Sequence, residues 1–146
     1  MNHPHLIGLL VGGVLPAFLF GLANLFQKSA GNHPISIGIY LIMISIGVAI
    51  VGAVIAITGD KQNISLAAAL PSIGVGLFWA AGVAFVFVGL RHYGAPISKL
   101  APLYNLNTLV TIAFALFIFS EWKDTNFPSL ISGSFFLILG GVLISK

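Results

Sequence analysis

The side chains in this sequence that could do chemistry are mostly neutral amides, hydroxyls and aromatic rings set inside long apolar runs. Five of them crowd one stretch. At helical spacing Asn105 and Thr108 share a face, with Ala101 a turn earlier, while Tyr104, Asn107 and Thr111 form an adjacent stripe. Amides, hydroxyls and a phenol both donate and accept hydrogen bonds, so the cluster suits a hydroxyl-rich or zwitterionic solute without demanding a net charge. The same groups could also tie one helix to another. Asn24 and Gln27 stand three apart near the end of an earlier run, where they could face a cavity or interfacial water. Trp79 lies too deep in its run to be an interfacial anchor, so its flat ring and N–H read as part of a cavity wall. Trp122 and Tyr40 lie nearer the ends of their runs and read as anchors at the boundary.

The ionisable residues narrow the chemistry further. Glu121 closes the fourth apolar run and is followed by Trp122, Lys123 and Asp124. A carboxylate at a helix C-terminus opposes the macrodipole, so compensation from Lys123 or a donor on the next helix is expected. His3, His5, His33 and His92 are scattered through flanks and loops, a poor arrangement for a metal, although His92 could carry a proton. With no cysteine, disulfides and thiolate metal sites are excluded. A nucleophile with a placed base, a metal cluster and a Gly-rich phosphate loop with Lys are all missing, so neither an enzyme nor a cofactor is expected. Asn63-Ile64-Ser65 fits a glycosylation acceptor but lies close to the start of the next run.

What positions these residues is a set of apolar runs. The chain has 146 residues, 58% of them hydrophobic and 6% charged, with a mean hydropathy of +1.09. A soluble domain this short could not hide so much apolar surface, so lipid must be the solvent. About 20 apolar residues cross the roughly 30 Å hydrocarbon core as a helix. Five such runs fit, at about 6–27, 35–58, 66–90, 96–120 and 128–145. The expected fold is all-α: one polytopic transmembrane domain over residues 1–146, with short connections that make successive helices antiparallel neighbours. Met1 to His5 carries no Lys or Arg, and the first run is too long for the apolar part of a secretory signal, so it should be kept as a helix. Pro102 should make the start of the fourth helix irregular, because it removes an N–H and frees a carbonyl. Three sets of small residues, Gly13/Ala17/Gly21, Gly76/Ala80/Ala84 and Gly38/Ser45/Gly52, predict close packing between helices.

With five spans the connections alternate sides. The N-terminus and the second and fourth connections share Lys61 and Lys123; the first and third connections and the C-terminus share Lys28, Arg91, Lys99 and Lys146. Four cations against two tilt the C-terminus inward, and so weak a bias is what insertion in both orientations would need. The formal charge of +3 thus reads as topology information and not as a nucleic-acid surface.

From Gly89 the residues run Gly-Leu-Arg-His-Tyr-Gly-Ala-Pro-Ile-Ser-Lys-Leu-Ala-Pro-Leu-Tyr-Asn-Leu-Asn, then an apolar stretch, Phe119-Ser-Glu-Trp, and a last run with Gly133 and Gly140-Gly141-Val142. This resembles the end of an EamA-type repeat of the drug/metabolite transporter superfamily, and Leu15-Pro-Ala-Phe-Leu-Phe-Gly21 through Lys28 resembles its opening helix. Gly76-Leu-Phe-Trp-Ala-Ala-Gly82 is similar to the sugar-uptake branch, a weaker likeness. Most members of that superfamily fuse two five-helix repeats, so the resemblance implies that this chain is one half of a ten-helix inverted-repeat transporter. The other half would be a second copy, inserted upside down as an antiparallel homodimer, or a paralogous half. The substrate would then sit near the bilayer midplane at the repeat interface. The expectation is a multi-pass transporter of a small neutral or zwitterionic metabolite, such as a sugar or amino acid, in a prokaryotic inner membrane. Asn24, Trp79, Tyr104, Asn105, Asn107 and Thr108 would contact substrate, and Pro102 and Glu121 would be structural or gating. A non-transporting scaffold or accessory subunit is the alternative. Small multidrug exporters resemble the chain in size, but their membrane-embedded Glu in the first helix has no counterpart in residues 6–27.

Overall fold

Each apolar run is helical in the structure, a computed structural model that describes residues 3–59, 64–123 and 125–145. Met1, Asn2, the side chains of residues 3–5 and 145, residues 60–63 with the glycosylation acceptor Asn63, Asp124 and Lys146 lie outside the described residues. In chain order the helices are α1 (His3–Leu9), a π-helical segment (Leu10–Val14), α2 (Leu15–Gly31), α3 (Ile37–Thr58), α4 (Leu66–Arg91), α5 (Ile97–Tyr104), α6 (Asn107–Ile118) and α7 (Phe127–Ser145). No strand occurs among the described residues. Five helical stretches are long and apolar enough to cross a membrane: Leu6–Gly31, Ile37–Thr58, Leu66–Arg91, Ile97–Ile118 and Phe127–Ile144.

The first span runs four residues beyond its expected end at Gln27, carrying Lys28 in its last turn. Its π-helical segment was not expected, and Pro16 accounts for it. A proline ring clashes with the carbonyl four residues back, here Gly12, and cannot donate to it. Widening the helix just before the proline relieves both problems, and the Leu15 N–H reaches back five residues to the Leu10 carbonyl. Other span starts are capped by short polar side chains. Ser36 accepts from the Ile39 N–H at 3.4 Å, Ser65 from Ala68 at 3.2 Å and Asn126 from Ser129 at 3.3 Å.

Two compact units divide the chain, Met1–Gly94 and Ala95–Lys146. In the first, α2 and α3 both pack on α4. The Gln27 side chain donates to the Val83 carbonyl at 3.4 Å, and a β-carbon at Gly31 would lie 3.9 Å from the Phe87 ring. Both pairs keep the same offset of 56 residues, so α2 and α4 run parallel in register. Tyr40, in the first turn of α3, stacks on Phe87 with centroids 4.2 Å apart. Phe87, Tyr40 and Leu90 are the buried hydrophobic side chains among the described residues. In the second unit α5 packs on α7.

Apart from Ala80 and Ala84, which lie on the face of α4 that meets α2, the small-residue sets do not mark where these helices meet. A β-carbon at Gly13, Gly21, Gly38, Gly52 or Gly76 would find nothing within 4 Å. Only Ala80 and Ala84 of those sets are half-buried. Close approach occurs instead where a large side chain faces a glycine, at Phe87 against Gly31 and Leu106 against Gly141. The end of the fourth span also departs from expectation. The helix stops at Ile118, Ser120 takes a left-handed conformation with φ of 57°, and Glu121 opens a 3-10 turn, Glu121–Lys123. Glu121 is therefore past the helix end, where the macrodipole conflict no longer applies.

A left-handed backbone costs an L-residue about 1 kcal/mol that glycine avoids. Ser120→Gly should therefore raise stability by about 1 kcal/mol and Ser120→Val lower it, read as the midpoint of unfolding in mixed micelles. Phe87→Ala should cost about 2 kcal/mol more than Phe85→Ala, since Phe85 is 78% exposed and Phe87 is fully buried.

Candidate functional site

The densest polar cluster sits where the fourth span is broken. Pro102 cannot donate to the Ser98 carbonyl, and the chain tightens within the following turn. The Leu106 N–H bonds to Leu103 at 3.1 Å, Thr108 to Asn105 at 3.2 Å and Leu109 to Leu106 at 2.9 Å, each three residues back where an α-helix would reach four. Asn105 and Leu106 have ψ values of −11° and −9°, which end α5 and start α6 anew. The irregularity falls near the middle of the 22-residue span, further along than the start of the helix where it was expected.

Side chains hold this break in place. The Thr108 hydroxyl donates to the Asn105 carbonyl, and the Thr111 hydroxyl to the Asn107 carbonyl at 3.1 Å. Leu106, at the break itself, rests on α7, where a β-carbon at Gly141 would lie 3.4 Å from its Cδ2. Tyr104 is half-buried, with its hydroxyl oxygen shielded from solvent. The amides of Asn105 and Asn107 are exposed and make no hydrogen bond among the described residues. Thr108 thus spends its proton on the backbone, and the two amides are the groups left to meet a solute or another chain.

The predicted residues of the first unit are brought to one level. Extending the offset of 56 residues places half-buried Asn24 opposite Ala80, beside Trp79, with Gln27 one turn further along. The Trp79 indole is 49% exposed and its N–H has no partner among the described residues. Gln27, which sequence reasoning could equally leave in interfacial water, crosslinks two helices instead.

Glu121 forms no ion pair among the described residues. The Lys123 ammonium, expected as its counter-charge, instead lies 5.7 Å from the centroid of the Trp122 ring. The Glu121 carbonyl accepts from the Thr125 hydroxyl at 2.7 Å, so the residue's visible role is in the turn. Groups of three or more potential metal ligands are absent among the described residues.

Sequence reasoning missed Arg91. Its Nη1 donates to the carbonyls of His33, at 2.8 Å, and Ile35, which fastens the first connection to the end of α4. Beside it opens a pocket of about 450 Å³ between the start of α3 and the end of α4. A cation immediately after an apolar span is usually read for topology alone, and nothing local in the sequence marks the two carbonyls as its partners.

Compared with known protein families, with curated proteins and with solved structures, the chain finds no match.

Removing the Thr108 hydroxyl leaves the Asn105 carbonyl without that donor inside the span. Thr108→Val should cost about 1 kcal/mol in mixed-micelle unfolding, whereas Ser45→Ala, on a helix without a break, should cost under about 0.5 kcal/mol.

Proposed function

We propose that this chain is one half of a membrane transporter that moves a small neutral or zwitterionic polar metabolite, such as a sugar or amino acid, across a prokaryotic inner membrane. The observation that carries this reading is the mid-span break with the exposed amides of Asn105 and Asn107. Irregular backbone at membrane depth is tolerated where it is covered by protein or lines a water-filled cavity, and polar side chains there mark solute paths. Transporters commonly bind substrate at such discontinuous helices near the midplane. A second, inverted copy would cover the break and complete the cavity, and rocking of the halves would give alternating access. Asn105 and Asn107 would hydrogen-bond the solute, with Asn24, Trp79 and Tyr104 as further walls. Thr108 and Pro102 would shape the break, and Glu121 would belong to a peripheral turn. The lack of ionisable side chains among these groups favours an uncharged or zwitterionic cargo over a lipophilic cation, which would need a counter-charge.

A scaffold or accessory subunit is the second reading, favoured by the glycine faces at Gly13, Gly21, Gly38, Gly52 and Gly76, which are open to a foreign helix. Flux distinguishes the two. Vesicles holding the purified chain should take up at least one labelled sugar, amino acid or nucleoside. Asn105→Ala and Trp79→Ala should each lower that uptake about tenfold or more at unchanged protein level. Unchanged flux in both variants would remove the site assignment, and no flux for any solute class would leave the scaffold. Reporters fused to the C-terminus should be found on both sides of the membrane; a single orientation would replace the inverted homodimer with a parallel or paralogous pair.

A further inference from the structure

The pocket at the end of α4 has a chemistry that the transport reading does not use. Its polar side is made by Arg91, His92 and Ser36, and its apolar side by Ile35, Phe87 and Val88. Arg91 ends one membrane span and Ile37 begins another, so the pocket opens where hydrocarbon gives way to headgroups. The guanidinium is held there by two backbone carbonyls that both engage Nη1. Its Nε and Nη2 hydrogens make no further bond among the described residues. A guanidinium fixed on one side and open on the other matches the planar, two-oxygen geometry of a phosphate.

The charge around it has one sign. In a five-span chain the first and third connections lie on the same side, and they bring Lys28, His33, Arg91 and His92 to it. The three acids of the sequence, Asp60, Glu121 and Asp124, belong to the second and fourth connections. The first and third connections themselves carry no Asp or Glu. The same pocket would seat a phosphate against Arg91 and lay a glycerol or acyl segment along the half-buried Ile35 and Val88.

We propose that this pocket binds the phosphate of an anionic phospholipid headgroup. The apolar wall and the depth at the membrane boundary favour the lipid over a soluble phosphate. The lipid would bridge the first connection and α4 and so reinforce the junction that Arg91 fastens. This site is independent of whether the chain moves a solute.

The test uses the full chain in nonionic detergent, offered phosphatidylglycerol and phosphatidylcholine in equal parts, with bound lipid counted by native mass spectrometry. Phosphatidylglycerol should be retained in preference, and Arg91→Gln should reduce that preference about tenfold without changing phosphatidylcholine binding. Because Arg91 also holds the first connection, a second variant guards against loss of fold. Ser36→Asp keeps a good helix N-cap and leaves the Arg91 clamp in place, but sets a carboxylate in the pocket. It should abolish the preference. Equal retention of the two lipids, or a preference unchanged in Ser36→Asp, would overturn the proposal. Arg91-dependent binding of millimolar inorganic phosphate without lipid retention would overturn the lipid assignment in favour of a soluble phosphate-bearing solute.

Discussion

Inside hydrocarbon no water is at hand to take up a backbone N–H or carbonyl that has lost its partner. That requirement explains the irregular features of this chain better than hydrophobicity does, since lipid surrounds the apolar side chains whether or not they touch each other. Pro16 is accommodated by a π-helical segment that re-pairs Leu15 with Leu10. Hydroxyls within spans turn back on their own helix, as Ser45 does to Ile42 at 2.7 Å and Ser72 to Ala68 at 2.8 Å. Ser36, Ser65 and Asn126 take up N–H groups at the starts of three spans. Arg91 serves the same end at the boundary, satisfying two carbonyls of the first connection.

The requirement is left open at the fourth span. There the backbone shifts to tighter hydrogen bonds, and two amides face outward at mid-span depth. Local repair by Thr108 and the support of Leu106 on Gly141 hold the shape, but they do not employ the amides. The exposed amides of Asn105 and Asn107 make no hydrogen bond among the described residues, and hydrocarbon would offer them no partner. The proposed inverted copy would resolve the imbalance and turn the same groups into a solute path, so that one physical deficit would serve both assembly and transport.

Packing in the first unit is concentrated near one end. Phe87 meets Gly31 and Tyr40 there, Gln27 reaches Val83 a turn earlier, and Arg91 closes the last turn. Near the other end of these helices Pro16 and Pro71 each withhold an N–H from the backbone ladder, and the register puts them at nearly the same depth.

The sequence by itself determined the five spans, because twenty or so apolar residues in lipid have no better option than a helix that pairs its own backbone. It also located the polar cluster around Asn105, and Pro102 announced an irregular fourth helix because the missing N–H is a covalent fact. The particular form of that irregularity, a break at Asn105 and Leu106 held by Thr108 and seated on Gly141, depended on which side chains reached which carbonyls. Glycine spacing was legible but misleading, since a small residue permits close approach without compelling it. Gly13 and Gly52 stay open while Gly31 is met by Phe87, a residue 56 positions away. The Arg91 clamp and its pocket were decided by the tertiary structure alone. They join a side chain at the end of one span to carbonyls before another, and no periodicity within a single helix encodes a contact between two.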